Sequence, residues 1–222
     1  MLYLVPTPVG NLKDMTYRAI EVLKSASYIL AEDTRTSGRL LKHYEIETPM
    51  RSYHAHNEHK SVDRIIEELK TEVDIALITD AGTPAISDPG FLLVRACHEH
   101  DIAVTCLPGA TAIIPALASS GIPCDRFHFE GFLPHKKGRQ TRWKYLSQLE
   151  HTIALYESPH RIKKCLKEIC EYLEPEREVA VIKEISKVYE TIYRGSAQEV
   201  YNTLESLPSI KGEFVVIISS QF

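Results

Sequence analysis

Short apolar runs alternate with amphipathic stretches along the first half of the chain. LYLVP opens it and stops at Pro6 and Pro8, and SYILA (27–31), IALIT (75–79) and IAVTCL (102–107) follow as runs of strand length. Between them, Thr16 is placed to cap a helix through Lys24, and a second helix is predicted from Thr34 to Tyr44. Val62, Ile65, Ile66 and Leu69 recur at helical spacing, and Phe91 to His100 and Ala110 to Ser119 read as two further helices. Strand–helix alternation of this kind predicts a parallel sheet with helices on both faces.

The second half has a different rhythm. RFHFEGF (126–132) and TIALYES (152–158) read as strands on either side of a basic helical stretch, and a helix runs from about Arg161 to Leu173. EVAVIKE (178–184) and KVYETIYRG (187–195) lie so close that only Ile185 and Ser186 separate them, which predicts a hairpin or bend. A helix and a last strand, EFVVIIS (213–219), follow. The expected fold class is α/β, with two α/β domains and a ligand cleft between them. The first, 1–119, has a mostly parallel sheet; the second, 120–222, has a mixed one, with the boundary in the turn-rich SSGIPCD (119–125).

Composition narrows the function. Of 222 residues, 44% are hydrophobic and 25% charged, which excludes collagen, coiled coil and wholesale disorder. No apolar run is long enough to span a bilayer, and MLYLVPTP shows no sign of a secretion signal, so a cytoplasmic protein is expected. Five cysteines, none in a CxxC pair, fit reduced thiols. With 26 basic against 30 acidic residues, any grip on nucleic acid must be local.

Candidate chemistry lies where the strands end. PTPVGN (6–11), EDTR (32–35), DAGTPAISDPG (80–90) and PGAT (108–111) each follow a predicted strand. In an open parallel sheet those ends share the edge where ligands bind. Glycine lets backbone approach a ligand closely, and proline stiffens the loop. Neither GxxxxGK[ST] nor GxGxxG is present, which weighs against a P-loop and against an ordinary dinucleotide site.

The strings PTPVGNLKDMTYRA, AEDTR, DAGTPAISDPG, LPGATA, FEGFLPHKKG, YESPHR and KGEF occur in this order across nearly the whole chain. Together they resemble the tetrapyrrole methylase superfamily, and within it the branch that methylates a cytidine 2′-hydroxyl of 16S rRNA. The resemblance implies an S-adenosylmethionine cofactor, a homodimer, and 16S rRNA or the assembled small ribosomal subunit as partner. It also implies a carboxyl-terminal extension in many members, beyond the KGEF strand. The cofactor pocket is expected to use Pro8, Val9 and Gly10, then Gly82, Thr83 and Ile86, then Thr111 and Ala112, with Tyr156 and Glu184 from the second domain.

Methyl transfer to a ribose hydroxyl needs alignment with the methyl donor and a group to accept the proton. Glu32, Asp33, Asp80, Asp88, Glu157 and Glu213 are the acidic candidates, and Glu32, Asp33 and Glu157 stand first because they sit in or beside the motif loops. Against this, Asp33 is also placed to cap the next helix. The segment HKKGRQTRWK concentrates Lys136, Lys137, Arg139, Arg142 and Lys144 without an acid, a patch suited to RNA phosphates, with Trp143 or His135 available to stack on a base. Arg35 and Arg39, with Lys42, would extend it. The alternatives are a methyltransferase for a tetrapyrrole-like small molecule, a metal-dependent hydrolase built on His54, His56 and His59, and an RNA-binding module without catalysis. No metal is expected, because the histidines lack an HExxH frame and a fourth ligand.

Overall fold

The computed structural model describes residues 1–220 and forms two compact units that divide between Thr111 and Ala112. In the first, strands β1 (Leu2–Leu4), β2 (Tyr28–Ala31), β3 (Met50–Ser52), β4 (Ile75–Ile78) and β5 (Val104–Cys106) make a sheet of order β3-β2-β4-β1-β5. Every pairing in it is parallel. Helices α1 (Tyr17–Ser25), α2 (Thr34–His43), α3 (Glu58–Leu69) and α4 (Phe91–Glu99) connect the strands.

Alternate strand positions feed opposite layers. Ile29, Ala31, Ala76 and Ile78 pack with Ala19 and Leu23 of α1 and Leu41 of α2. Tyr28, Leu30, Ile75 and Leu77 pack with Ile65, Ile66 and Leu69 of α3 and Leu93 and Cys97 of α4. Both faces of β2 and β4 are therefore buried, which is why these strands appear in the sequence as unbroken apolar runs. β3 gave no such signal: MRS is a short, mostly exposed edge strand.

The connections also set the ligand edge. From β1 the chain crosses past β4 to reach β2, whereas from β4 it crosses past β1 to reach β5. The two crossovers use opposite faces of the sheet, so the point where the winding reverses lies between β1 and β4. In open parallel sheets ligands bind outside the carboxyl ends of the strands at such a point.

The second unit contains α5 (Ile113–Ser120), β6 (Phe127–Phe132), α6 (Arg139–Leu146), β7 (Thr152–Glu157), α7 (Ile162–Tyr172), β8 (Glu178–Lys183), β9 (Thr191–Ser196), α8 (Ala197–Glu205) and β10 (Phe214–Ile218). Its sheet runs β6-β7-β10-β8-β9, with β6 and β7 parallel and the remaining pairs antiparallel. α5 belongs here rather than to the first unit. Ile113, Ala116 and Leu117 pack on Ala154, Ala180, Ile182 and Val215, which moves the division ahead of the SSGIPCD turn. The other face carries α6, α7 and α8 over Ile153, Leu155, Val179, Val181 and Val216. The β8–β9 connection is longer than the two residues expected, because β9 begins only at Thr191, paired with Lys183. Glu184 and Ser186 take left-handed backbone in this connection, and Val188 and Tyr189 stand in solvent.

Candidate functional site

Three loops at the carboxyl ends of β1, β4 and β5 are laced together within the first unit. Thr7 and Gly82 exchange backbone hydrogen bonds, Thr7 N donating to Gly82 O at 2.9 Å and Gly82 N to Thr7 O at 2.8 Å. The buried Thr7 hydroxyl donates to Thr79 O at 2.9 Å. Thr83 Oγ1 donates to Ala110 O at 3.2 Å, tying the DAGTPAIS loop to PGAT. Gly82 has φ +88°, a conformation L side chains rarely adopt, and a Cβ there would meet Val9 Cγ1 at 3.6 Å. At Gly109 the constraint is space: a Cβ would lie 2.9 Å from Pro6 Cβ. Ala85 and Ser87 are left-handed without being glycine, so the 80–90 loop holds strained backbone at the ligand edge.

Pro8, Val9, Gly10, Gly82, Thr83, Ile86 and Thr111 thus share one interlocked loop cluster, in which Ile86 is 45% exposed. Thr7, Thr79 and Pro6, which do much of the interlocking, were not singled out in the sequence. Their signal was a polar residue or a proline directly after an apolar strand. Ala112, Tyr156 and Glu184 lie in the second unit. Ala112 starts α5, and the Tyr156 ring sits edge-on to Phe129 at 5.2 Å and tilted against Phe132 at 5.5 Å. Glu184 accepts from Lys187 Nζ at 2.8 Å and from Glu213 N at 2.9 Å. Its carboxylate organises the turn before β10.

The acids separate by environment. Thr79 Oγ1 donates to Glu32 Oε2 at 2.7 Å, and Asp33 N donates to Asp80 Oδ1 at 3.2 Å, so the ends of β2 and β4 are joined through carboxylates. Asp88 belongs to the same cluster. Burial, then the charges of Glu32 and Asp80, push its pKa up to about 6, against the opposing hydrogen bond from Thr79. Asp80 is raised as well, mainly by burial. Asp33 goes the other way, to about 2. Its carboxylate accepts from Arg35 Nε at 3.1 Å and Nη2 at 2.8 Å, and it caps α2 through Arg35 N.

Two residues placed first as acids are therefore committed elsewhere: Asp33 to its cap and ion pair, and Glu157 to the interior of the second unit. Glu157 is 1% exposed and accepts from Ser158 N at 2.8 Å, with Arg161 Nε at 2.8 Å and Arg139 Nη2 at 3.5 Å. Asp88, grouped with the weaker candidates in the sequence, is the acid of this cluster whose pKa burial and neighbouring charge raise furthest.

The basic string is likewise divided. Arg139 is buried, and its guanidinium binds Glu168 at 2.7 Å, Glu157 and Pro134 O, so it is a structural cation rather than a surface contact. Trp143 is also buried and donates Nε1–H to Glu168 Oε2 at 3.0 Å. Arg142 pairs with Glu130 and lies over the Tyr145 ring. Lys136, Lys137 and Lys144 remain exposed. In the first unit Arg39 is exposed, and Arg35 extends into solvent from its pair with Asp33.

The histidine cluster does not assemble. The His54 and His56 rings stand 5.9 Å apart edge-on, and His59 lies on α3. Among the described residues no group of three or more His, Cys, Asp or Glu side chains could hold a metal ion.

Residues 1–201 match the family model of the tetrapyrrole (corrin/porphyrin) methylases. The chain is 49% identical over 222 residues to a Synechocystis protein named ribosomal RNA small subunit methyltransferase I, covering 99% of this chain and 78% of that one. A Hydrogenobaculum protein of the same name is 44% identical, covering 99% of this chain and 96% of that one. Among solved structures, the methyltransferase CobJ superposes with a TM-score of 0.72 at 16% identity, over 99% of this chain and 94% of that one. Uroporphyrin-III C-methyltransferase from Thermus thermophilus, complexed with S-adenyl homocysteine, superposes with a TM-score of 0.65 at 16% identity, over 97% and 96% of the two chains. These two likenesses are of fold.

Proposed function

This chain belongs to the tetrapyrrole (corrin/porphyrin) methylase family, and on that premise we propose that it transfers a methyl group from S-adenosylmethionine to small-subunit ribosomal RNA, at a cytidine 2′-hydroxyl of 16S rRNA. The observation that carries the reading is similarity along the whole chain to ribosomal RNA small subunit methyltransferases I, joined to the interlocked loops at the strand ends that bear the motif strings.

The first unit fits such a cofactor. Pro8, Val9 and Ile86 offer apolar surface beside backbone amides and carbonyls, as adenine-bearing ligands require. Gly82 holds a left-handed turn beside Val9, and Gly109 lies so close to Pro6 that a Cβ there would press on its ring. When bound, S-adenosylmethionine supplies an electrophilic methyl on a sulfonium. The interlocked loops hold the reacting groups in line, which is where most of the rate arises. Asp88 then takes the hydroxyl proton on a carboxylate oxygen. A group titrating near 6 is ionised at neutral pH and still has useful proton affinity. Glu32, held by Thr79, keeps that affinity raised.

The exposed Lys136, Lys137 and Lys144 are assigned to RNA phosphates, together with Arg35 and Arg39. A homodimer belongs to the same proposal and is read by sedimentation. No helix among the described residues is long and apolar enough to cross a membrane.

The test is calorimetric titration with S-adenosylmethionine, followed by methyl transfer to purified small ribosomal subunits lacking the modification. Expected are one cofactor site per chain and one methyl group on a cytidine ribose. Transfer to a porphyrinoid instead would replace the acceptor with a tetrapyrrole. Cofactor binding without any transfer would leave a binding module.

A further inference from the structure

The structure points to a second element of substrate recognition, on the helical face of the second unit. We propose that the groove beside α6 and α7 is a nucleotide subsite for the RNA, seating a backbone phosphate between Lys136 and Lys164 and a ribose or base against Tyr172. The inference rests on the RNA reading above and deepens it.

A groove of about 400 Å³ lies there, lined by Lys136, Gln140, Thr141, Lys164, Glu168 and Tyr172, with Gly138, Arg139 and Glu171 completing it. That size suits one nucleotide. Charge favours an anion once the internal pairs are taken out. Glu168 is bound by Arg139 and by the Trp143 indole, so its charge is already matched from within. Among the residues lining the groove, the acid left to oppose Lys136 and Lys164 is chiefly Glu171, whose carboxylate can accept from a sugar hydroxyl or an exocyclic amino group. Lys164 stands 3.8 Å from Glu168, too far for a committed hydrogen bond. Tyr172 stacks parallel to the buried Trp143 at 6.4 Å and 8°, so packing fixes the plane it offers to a ligand. A Cβ at Gly138 would meet nothing within 4 Å, so the mouth beside Lys136 is open. Lys164 and Tyr172 lie well outside the basic string, and only the fold brings them to Lys136.

The experiment uses the full chain and a single-stranded oligocytidylate, with binding followed by fluorescence anisotropy from 50 to 300 mM KCl, roughly the range over which phosphate contacts change affinity steeply. The double variant Lys136→Ala/Lys164→Ala should bind about tenfold more weakly at low salt, and its log–log salt slope should fall by roughly 1.4, or 0.7 per lost contact. Lys163→Ala/Lys167→Ala removes the same charge from α7 outside the groove and should leave the slope unchanged. Both should bind S-adenosylmethionine as the parent does, which shows that they fold. Equal losses in the two doubles would reduce the effect to general electrostatics and overturn the subsite. An unchanged slope in Lys136→Ala/Lys164→Ala, with the parent still methylating small subunits, would overturn it while leaving the proposed function intact. A parent that neither binds RNA nor methylates subunits would sink the RNA reading and this inference together.

Discussion

Replacing Asp88 with asparagine should stabilise the protein and abolish its turnover, a pairing of opposite signs that a purely structural aspartate would not give. Burial pushes the folded pKa up to about 6, against 3.8 for a free aspartate. Between these values the folded state binds more protons than the unfolded one, so this group makes stability fall as pH rises through that window. A shift of about two units sets a ceiling of about 3 kcal/mol. Asp88 is only half-buried, and solvent screening brings the expected gain of Asp88→Asn at pH 8 to roughly 1–2 kcal/mol. Toward pH 4 the difference should shrink to a small fraction of its value at pH 8, and it vanishes below 3.8, where Asp88 is protonated in both folded and unfolded states. The charged and polar groups facing it are Glu32, Asp80 and Thr79. The assay is urea unfolding of both proteins from pH 4 to 8, read as a difference so that titrating groups away from Glu32 and Asp80 cancel. Methyl transfer to small subunits should fall about 10²-fold or more, with cofactor affinity kept. An asparagine variant less stable than wild type at pH 8, a stability difference independent of pH, or retained turnover would each refute the assignment.

Gly109→Ala should separate the laced loops, because a Cβ 2.9 Å from the rigid Pro6 ring cannot be relieved by a rotamer change; about 1–3 kcal/mol of stability should be lost, with weaker cofactor binding by calorimetry. Arg139→Met should cost about 3–5 kcal/mol in urea unfolding, since Glu157 and Glu168 lose a buried partner; a surface RNA ligand would instead show intact stability and a reduced salt slope. Ser196→Ala removes a capping box at the start of α8, in which Glu199 bonds back to Ser196 N, and should cost about 1 kcal/mol.

Sequence reasoning succeeded where one physical signal dominates. The doubly buried strands Tyr28–Ala31 and Ile75–Ile78 could hardly be read as anything but core, and the glycines and prolines that follow the strands marked loops that interlock at one edge of the sheet. It failed where the decisive fact is a partner distant in the chain. HKKGRQTRWK contains no acid, so every cation in it reads as available. The acids that claim Arg139 are Glu157 and Glu168, 18 and 29 positions away, and nothing local marks them as its counter-ions.

The same blindness acts in reverse at Asp88. Its raised pKa comes first from burial and next from the proximity of Glu32, at the end of a strand whose order in the sheet (β2 beside β4) had to be known first. Parallel topology is thus what turns two ordinary motif carboxylates into a coupled pair. Had β2 and β4 been separated by another strand, Glu32 could not have reached Thr79, and burial with the charge of Asp80 would have been left to raise Asp88. Strand order is therefore part of the chemistry. The loops AEDTR and DAGTPAISDPG depend on each other because the crossover through α2, β3 and α3 returns the chain to the same edge.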